Sequence, residues 1–182
     1  MIAIMSSITR RLLDLAEGEV VLAPGASLFL TGDPVRNLYV VREGTVRLVR
    51  HQASGGAVVL QRAQADQLLA EASLFASRYH CDATSEHGAR LARIPKPKIL
   101  QAQREDAGWL ADLAAHLARE VQQARARAEL LSLRTVRERL EGWRALHGEL
   151  PPRGRWVEVA QEIGVSPEAL YRELARGPGA ES

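Results

Sequence analysis

Cysteine occurs only once in this chain of 182 residues, as Cys81. A single thiol excludes an intramolecular disulfide framework and a zinc site built from several cysteines, and it is typical of proteins from a reducing compartment. Long apolar runs are also missing, and the N-terminal stretch MIAIMSSITRR contains no small-residue cleavage site. The sequence therefore predicts a cytoplasmic protein with no signal peptide and no membrane partner.

Clustered histidines and phosphate-binding loops are missing as well. A metal-dependent cupin enzyme needs two histidines one residue apart with a nearby carboxylate, whereas these are scattered: His51, His80, His87, His116 and His147. The Gly55-Gly56 pair lies in a hairpin-like turn rather than in a loop that leads into a helix. We therefore expect no enzyme activity.

The net charge of +2 is too small to indicate a nucleic-acid partner by itself, but its distribution is uneven. Residues 119–144 contain seven arginines and four glutamates, whereas residues 151–182 contain four arginines and five glutamates. The C-terminal segment is thus slightly acidic, which argues against strong phosphate binding. The length and the 46% hydrophobic content predict one medium domain plus a small one.

Residues 20–93 are rich in short β-like runs separated by turn residues, namely VVLAPG, SLFLTGD, NLYVVREG, TVRLVRH and GGAVVLQRA. Many short strands at this spacing predict a sandwich or a roll. Apolar residues alternate on both sides of Glu43-Gly44, which predicts a hairpin there. Pro95 and Pro97 end the region, because two prolines do not fit inside a central strand.

A long helix is predicted from Asp106 to Leu133, since the stretch has no proline and, after Gly108, no glycine. Apolar residues spaced alternately by four and three form a heptad seam along it: Leu110, Ala114, Leu117, Val121, Ala124, Ala128 and Leu131. Its small alanines indicate two closely packed helices, most simply a homodimer with a two-fold axis. The alternative is that the stripe packs on the chain's own β domain. Leu113, Leu130 and Leu133 widen the apolar face enough for both arrangements.

Another helix is predicted from Thr135 to about His147-Gly148, with Val136, Leu140 and Trp143 as its apolar stripe. A turn follows at residues 151–154. Four basic side chains cluster near this helix: Arg134, Arg137, Arg139 and Arg144. They either hold DNA phosphates or solvate a helix face, and the sequence leaves both interpretations open.

Residues 156–176, WVEVAQEIGVSPEALYRELAR, have the spacing of a helix-turn-helix. The inward side of the first helix is predicted to consist of Val159, Ala160 and Ile163. Gly164 supplies the tight turn. Leu170 and Leu174 then form the buried stripe of the second helix.

The second helix has a defined start, with Ser166 as N-cap, Pro167 at the first helical position and Glu168 near the positive end of the helix dipole. The outward residues at this end enter the major groove in this motif. Arg172 fits guanine O6 and N7, and Glu168 fits cytosine N4. The alternative is that Glu168 and Arg172 form only an i,i+4 ion pair. The predicted DNA-binding residues are Ser166, Pro167, Glu168, Tyr171 and Arg172.

The β-rich region resembles the cyclic-nucleotide-binding jelly roll. The matching turns and strands are Pro24-Gly25, Leu28-Phe29, Gly32-Asp33, residues 38–41 and Gly44 with residues 46–48. The predicted dimerisation helix and the helix-turn-helix follow this β-rich region. Residues 20–176 as a whole therefore resemble the CRP/FNR family of bacterial transcription regulators.

The resemblance implies an α+β fold with an N-terminal β jelly roll, a long central dimerisation helix and a small C-terminal helical domain. Residues 1–104 would form the sensor, residues 105–134 the dimerisation helix and residues 135–182 the DNA-binding domain. It also implies a homodimer that reads a palindromic site, with double-stranded DNA and RNA polymerase as partners.

The cyclic-nucleotide cassette of this family departs from its pattern here. The family uses Gly-Glu and, later, Arg followed by Ser or Thr. This sequence keeps Glu71 but has Ala70 in place of the glycine, and His80 and Cys81 stand at the arginine and hydroxyl positions. Arg78 comes two residues early. Without the fixed guanidinium we expect an effector other than a cyclic nucleotide.

Glu71, Arg78, His80 and Cys81 are the candidate residues of the effector pocket. An imidazole next to a lone thiol is compatible with a haem ligand, with a redox-active thiolate, or with a packed cysteine beside a surface histidine. Neighbouring residues on a strand point to opposite faces, so at most one of His80 and Cys81 should enter the pocket. The packed-cysteine interpretation is the one favoured here.

The family places a β-hairpin wing after the recognition helix, whereas this sequence continues as ARGPGAES. Either the wing has been lost or the sequence is a truncated form, and in both cases we expect a helix-turn-helix domain without its wing and with weaker DNA affinity. The alternative function is a dimeric sensor or interaction protein. Its degenerate helix-turn-helix would modulate a paralogue without strong DNA binding of its own.

Overall fold

The computed structural model describes residues 6–52 and 55–176. A short helix precedes the strands: α1 (Ser7–Asp14), β1 (Glu19–Leu22), β2 (Ser27–Phe29), β3 (Asn37–His51), β4 (Ala57–Ala63), β5 (Leu68–Leu69) and β6 (Asp82–Pro95). Helices follow: α2 (Lys96–Glu105), α3 (Ala107–Ser132), α4 (Val136–His147), α5 (Trp156–Glu162) and α6 (Pro167–Arg176). Single 3₁₀ turns lie at Glu71–Ser73 and Arg153–Arg155. The predicted α+β class, with strands first and helices after, is confirmed.

The chain divides into two compact units, Met1–His116 and Leu117–Ser182. The first unit holds the strands with α1, α2 and the start of α3, and the second holds the rest of α3 with α4 to α6. Among the described residues, no helix has both the length and the apolar character needed to cross a bilayer.

The strands form one antiparallel arrangement in the order β1-β6-β3-β4, with β2 also paired to β6 and β5 to β3. Inward-facing aliphatic residues such as Val40, Val46 and Leu91 are fully buried. The short helix α1, which the sequence did not reveal, buries Ile8 and Leu12. Its Arg11 pairs with Asp106 at 2.6 Å and with Asp112 at 2.7 Å, which joins α1 to the start of α3.

The hairpin predicted at Glu43-Gly44 is wrong, because β3 continues through this dipeptide as a single strand of 15 residues. The pairing of β3 with β6 shifts register on both sides of Gly44. Gly44 has a φ of +80°, and a Cβ there would lie 2.9 Å from the Ala89 Cα and closer still to Gly88. The glycine therefore permits a bend in a long strand. Apolar alternation continues through such a bulge, so the sequence pattern did not distinguish it from a turn.

The predicted helices are confirmed close to their expected ends. The helix α3 covers Ala107–Ser132. Thr135 caps α4 in a reciprocal capping box with Glu138, and Gly148 ends the helix with a φ of +86°. The region of strands ends at Pro95, as the two prolines predicted, although α2 begins immediately after it.

Gly44→Ala is expected to lower the free energy of unfolding by about 3 kcal/mol, because the methyl group meets backbone in a conformation that L-residues avoid. Urea denaturation measures the loss. Gly25→Ala is the control, since Gly25 also has a positive φ but has no atom within 4 Å of an added Cβ. The control should lose about 1 kcal/mol. Equal losses in the two variants would show that the close approach at Gly44 is unimportant.

Candidate functional site

The second unit is built around one apolar core shared by the end of α3 and by α4, α5 and α6. Its buried members are Leu130, Leu140, Trp143, Val159, Ala160, Ile163 and Leu170. The residues predicted to face inward in the helix-turn-helix are thus buried, with Leu174 packed at the edge of the core. Ala160 is fully buried where α5 meets its neighbours, in agreement with its small size.

The turn between α5 and α6 is closed by backbone hydrogen bonds. The Val165 N–H donates to the Ala160 carbonyl at 2.9 Å. Gly164 has a φ of +67°, and a Cβ on it would lie 2.7 Å from a methyl carbon of Leu131. The prediction that Gly164 makes the tight turn is confirmed, and the glycine also leaves room for the end of α3.

The start of α6 agrees with the sequence prediction. Ser166 Oγ accepts a hydrogen bond from the Ala169 N–H at 3.2 Å, and Pro167 is the first helical residue. The Glu168 backbone N–H and the Ser166 side chain hold the pKa of the Glu168 carboxyl below its usual value. The positive charge of Arg172 lowers this pKa less than those hydrogen bonds do. Glu168 and Arg172 are both exposed, so the two predicted base-reading groups lie on the outer surface of α6.

Tyr171 is held more firmly than the sequence suggested. Its ring lies 5.5 Å from the Trp156 ring, and the Arg153 guanidinium lies 5.8 Å from the Tyr171 ring and 5.9 Å from the Trp156 ring. The Trp156 indole N–H donates to the Pro151 carbonyl at 2.9 Å. Cation–π contacts of this kind favour a fixed guanidinium beside α6. The sequence did not indicate that Arg153 and Trp156 contact Tyr171, because these contacts depend on the 3₁₀ turn at Arg153–Arg155.

The four clustered arginines of this region separate into different roles. Arg137 pairs with Glu173 of α6 at 3.2 Å. Arg139 binds main-chain carbonyls at the ends of two helices. Arg134 and Arg144 have exposed side chains. Phosphate binding and plain solvation were the two interpretations of the cluster, and neither describes Arg139.

The heptad seam of α3 is largely uncovered in the single chain. Leu110 is 53% exposed and Val121 is 48% exposed, and the three alanines of the seam are exposed too. The buried residues at the start of α3 are instead Trp109, Leu113 and His116. The stripe that is buried at the start of α3 therefore differs from the one that contains Leu110 and Ala114 of the seam.

In the first unit, the segment at the position of the cyclic-nucleotide cassette has an unusual backbone conformation at Ala70. This residue has a φ of +71° and a ψ of +19°, in the left-handed region, and it directly precedes the 3₁₀ turn that begins at Glu71. Such a conformation costs a residue with a Cβ about 1–2 kcal/mol. Glycine would adopt this backbone conformation at little energetic cost.

The other effector-pocket candidates point in different directions. Cys81 is 2% exposed, whereas His80 is exposed and its Nδ1 lies 3.1 Å from Ser73 Oγ. Arg78 donates to the Gly32 carbonyl at 2.6 Å. Both residues precede β6, which begins at Asp82, so the alternation expected of neighbours on one strand does not apply to them. The arrangement corresponds to a packed cysteine beside a surface histidine.

The environment of Cys81 favours the neutral thiol. Burial raises the pKa of the thiol, and the Arg50 charge opposes this only in part. Val49 pairs with Asp82 across the strands, which places Arg50 next to Cys81. This neighbour cannot be inferred from the sequence, because the register between β3 and β6 changes at two bulges. Among residues 6–52 and 55–176 no three potential metal ligands cluster together.

Comparison with known families identifies the β-rich unit. Residues 19–106 match the family described as the cyclic nucleotide-binding domain. This match covers β1 to α2, including the positions of Ala70 and Cys81. No curated protein sequence is significantly similar to the chain.

Solved structures with the same fold over most of the chain include transcription regulators. FixK2 from Bradyrhizobium japonicum is 17% identical with a TM-score of 0.73, covering 87% of this chain and 83% of its own. The c-di-GMP-responsive global regulator CLP from Xanthomonas campestris is 20% identical with a TM-score of 0.67, covering 93% and 89%. Thermus thermophilus catabolite activator protein is 23% identical with a TM-score of 0.56, covering 96% and 84%. The chain thus has the CRP-like fold. The predicted lack of a wing concerns residues 177–182, which lie outside the described part of the chain.

Cys81 is expected to react with a soluble aromatic disulfide at pH 7 about 100-fold more slowly than in urea-unfolded protein, because thiolate formation is disfavoured by burial. The raised pKa means that the neutral thiol contributes stability at low and neutral pH, and that this contribution is lost as the pH rises through the folded-state pKa. Absorbance of the released thiolate measures the rate. Labelling at the unfolded rate at pH 7 would instead support a redox-active thiol.

Proposed function

We propose that the protein is a homodimeric transcription regulator of the CRP/FNR type that binds double-stranded DNA. The observation that carries this proposal is the uncovered seam of α3, on a helix whose last turn belongs to the helix-turn-helix core. Leu130 of α3 is 4% exposed in that core, whereas Val121, less than three turns earlier, is 48% exposed. One helix thus offers a pairing surface and carries the DNA-reading motif.

Base recognition is assigned to the exposed side of α6. Arg172 would read a guanine, Glu168 would accept from a cytosine, and Ser166 and Pro167 would lie near the backbone at the helix start. Tyr171 contributes by holding the recognition helix against Trp156. In a two-fold dimer the two copies of α6 must reach successive major grooves about 34 Å apart, which makes a palindromic site the expected target.

Residues 1–104 act in this proposal as a sensor, residues 105–134 as the dimerisation helix and residues 135–182 as the DNA-binding domain. The effector is not a cyclic nucleotide. A cyclic phosphate needs a cation, whereas Cys81 offers a buried neutral thiol and Arg78 is bound to the Gly32 carbonyl. An effector would act by changing how the two α3 helices pair, which changes the spacing of the recognition helices.

A dimeric sensor without strong DNA binding is the second candidate. It is favoured by the internal pairing of two of the four arginines in residues 151–176. Arg155 pairs with Glu158 at 2.8 Å, and Arg176 lies 3.6 Å from Glu173. Phosphate contacts supply much of the affinity for DNA, so neutralised arginines would weaken it.

Leu117→Glu and Val121→Glu are each expected to convert dimers into monomers, because they place charges in an apolar seam. Analytical ultracentrifugation gives the mass, and binding to a palindromic duplex should be lost together with the dimer. Gln123→Glu is the control, since Gln123 is exposed on α3 but lies outside the seam. Monomers that bound the palindrome normally would contradict the coupling.

A mobility shift on the protein's own promoter region, at low salt and with and without reductant, tests DNA binding. Arg172→Ala is expected to weaken specific binding by about 1–3 kcal/mol, roughly 10- to 150-fold, because a bidentate contact to a base is lost. Arg10→Ala is the matched control, since it removes an exposed arginine of α1, outside the proposed DNA-binding residues 135–182. The absence of any sequence-specific shift would support the sensor candidate instead.

A further inference from the structure

Arg139 lies in the first turns of α4 and binds four main-chain carbonyls. Its Nε donates to the Leu133 carbonyl at 2.8 Å, and its Nη2 donates to the Leu131 carbonyl at 3.1 Å. Its Nη1 donates to the carbonyls of Ile163 and Gly164 at 3.1 and 3.2 Å. The first pair of carbonyls lies at the C-terminal end of α3, and the second pair lies at the end of α5.

These acceptors are groups that helices leave without internal partners. The last carbonyls of a helix carry the negative end of its dipole, so a cation there is stabilising. A guanidinium is always charged and presents five N–H donors in a fixed plane, which lets one side chain bind two helix ends at once. A lysine ammonium is a point donor and lacks this reach.

The base of the Arg139 side chain is itself fixed. The Arg139 N–H donates to the Thr135 carbonyl at 3.1 Å, in the turn that Thr135 and Glu138 cap reciprocally. Close packing surrounds the same junction, since a Cβ on Gly142 would lie 2.8 Å from a methyl carbon of Leu130. The guanidinium thus connects three helices at a closely packed junction.

We propose that Arg139 is a positioning residue that sets the angle between the dimerisation helix α3 and the helix-turn-helix. It does so by holding the end of α3 against the turn that precedes α6. This inference rests on the proposed function, because the angle matters for operator binding only if α3 pairs and α6 reads DNA. Arg139 acts through the backbone and does not contact a phosphate.

The angle can be measured without DNA. Two spin labels are attached at Gln123→Cys on α3 and at Ala175→Cys on α6, in a Cys81→Ala background. When the labelled protein is diluted into excess unlabelled chain, the labels report the distance between these two sites within one chain. Both label sites are exposed. Pulsed electron paramagnetic resonance should give one narrow distance distribution in the parent. Arg139→Met should widen it about twofold, because two helix ends lose their shared donor.

Arg139→Lys keeps the positive charge but lacks the planar set of N–H donors of the guanidinium. It should also widen the distance distribution, by a smaller amount. Arg144→Met is the matched control on the same helix and should leave it unchanged. Circular dichroism identifies a variant that does not fold, and if Arg139→Met fails to fold, Arg139→Lys decides the question. An unchanged distribution in a folded Arg139 variant overturns the proposal.

A DNA-binding measurement distinguishes failure of this inference from failure of the proposed function. Arg139→Met should weaken binding to a palindrome about tenfold, because fewer dimers hold both recognition helices in register, while binding to a single half-site changes little. Equal weakening on both duplexes would mean that Arg139 only stabilises the domain, which overturns its positioning role. If the parent binds no DNA, the proposed function fails, and the spin-label result alone decides the role of Arg139.

Discussion

The uncovered apolar seam of α3 is the constraint on which the account of this protein depends. Exposed apolar area costs about 25 cal/mol per Å² relative to burial, and a continuous stripe concentrates that cost on one face. Leu110 and Val121 are about half exposed, while Trp109 and Leu113 on another face are buried. In the proposed dimer a second copy of α3 would cover this seam. Because Leu130 in the last turns of α3 belongs to the helix-turn-helix core, such pairing would also set the position of the helix-turn-helix.

The proposed sensor has a backbone that fits the cyclic-nucleotide-binding pattern, whereas the side chains at the cassette positions differ from that pattern. Ala70 still adopts the left-handed conformation that suits glycine, and Glu71 still begins the 3₁₀ turn. At Cys81, however, a buried thiol with a raised pKa stands close to where a cyclic phosphate would require a positive charge. Arg50 is the nearby cation, and it comes from a neighbouring strand. The proposed regulator therefore combines an inherited fold with a changed ligand preference.

The sequence predicted those parts of the structure in which local patterns and tertiary packing agree. The extent of α3, the start of α4 near Thr135 and the turn at Gly164 all follow from spacing or residue type within one segment. The hairpin at Glu43-Gly44 was wrong, because a bulged strand preserves the same alternation as a turn. The helices α1 and α2 were missed since their apolar residues are few. The roles of Arg139 and Arg153 depend on carbonyls and rings from distant positions, and no spacing in the sequence encodes those contacts.

In vitro selection of the full-length protein on random double-stranded DNA tests the central claim most directly. The account predicts enrichment of a palindrome whose half-sites are centred about 10 base pairs, one helical turn, apart or a multiple of it. Two chains should bind each selected duplex, as measured by sedimentation of the complex. Selection that enriches no sequence, or that enriches a single unrepeated half-site bound by one chain, would contradict the claim that the α3 seam pairs two recognition helices on DNA.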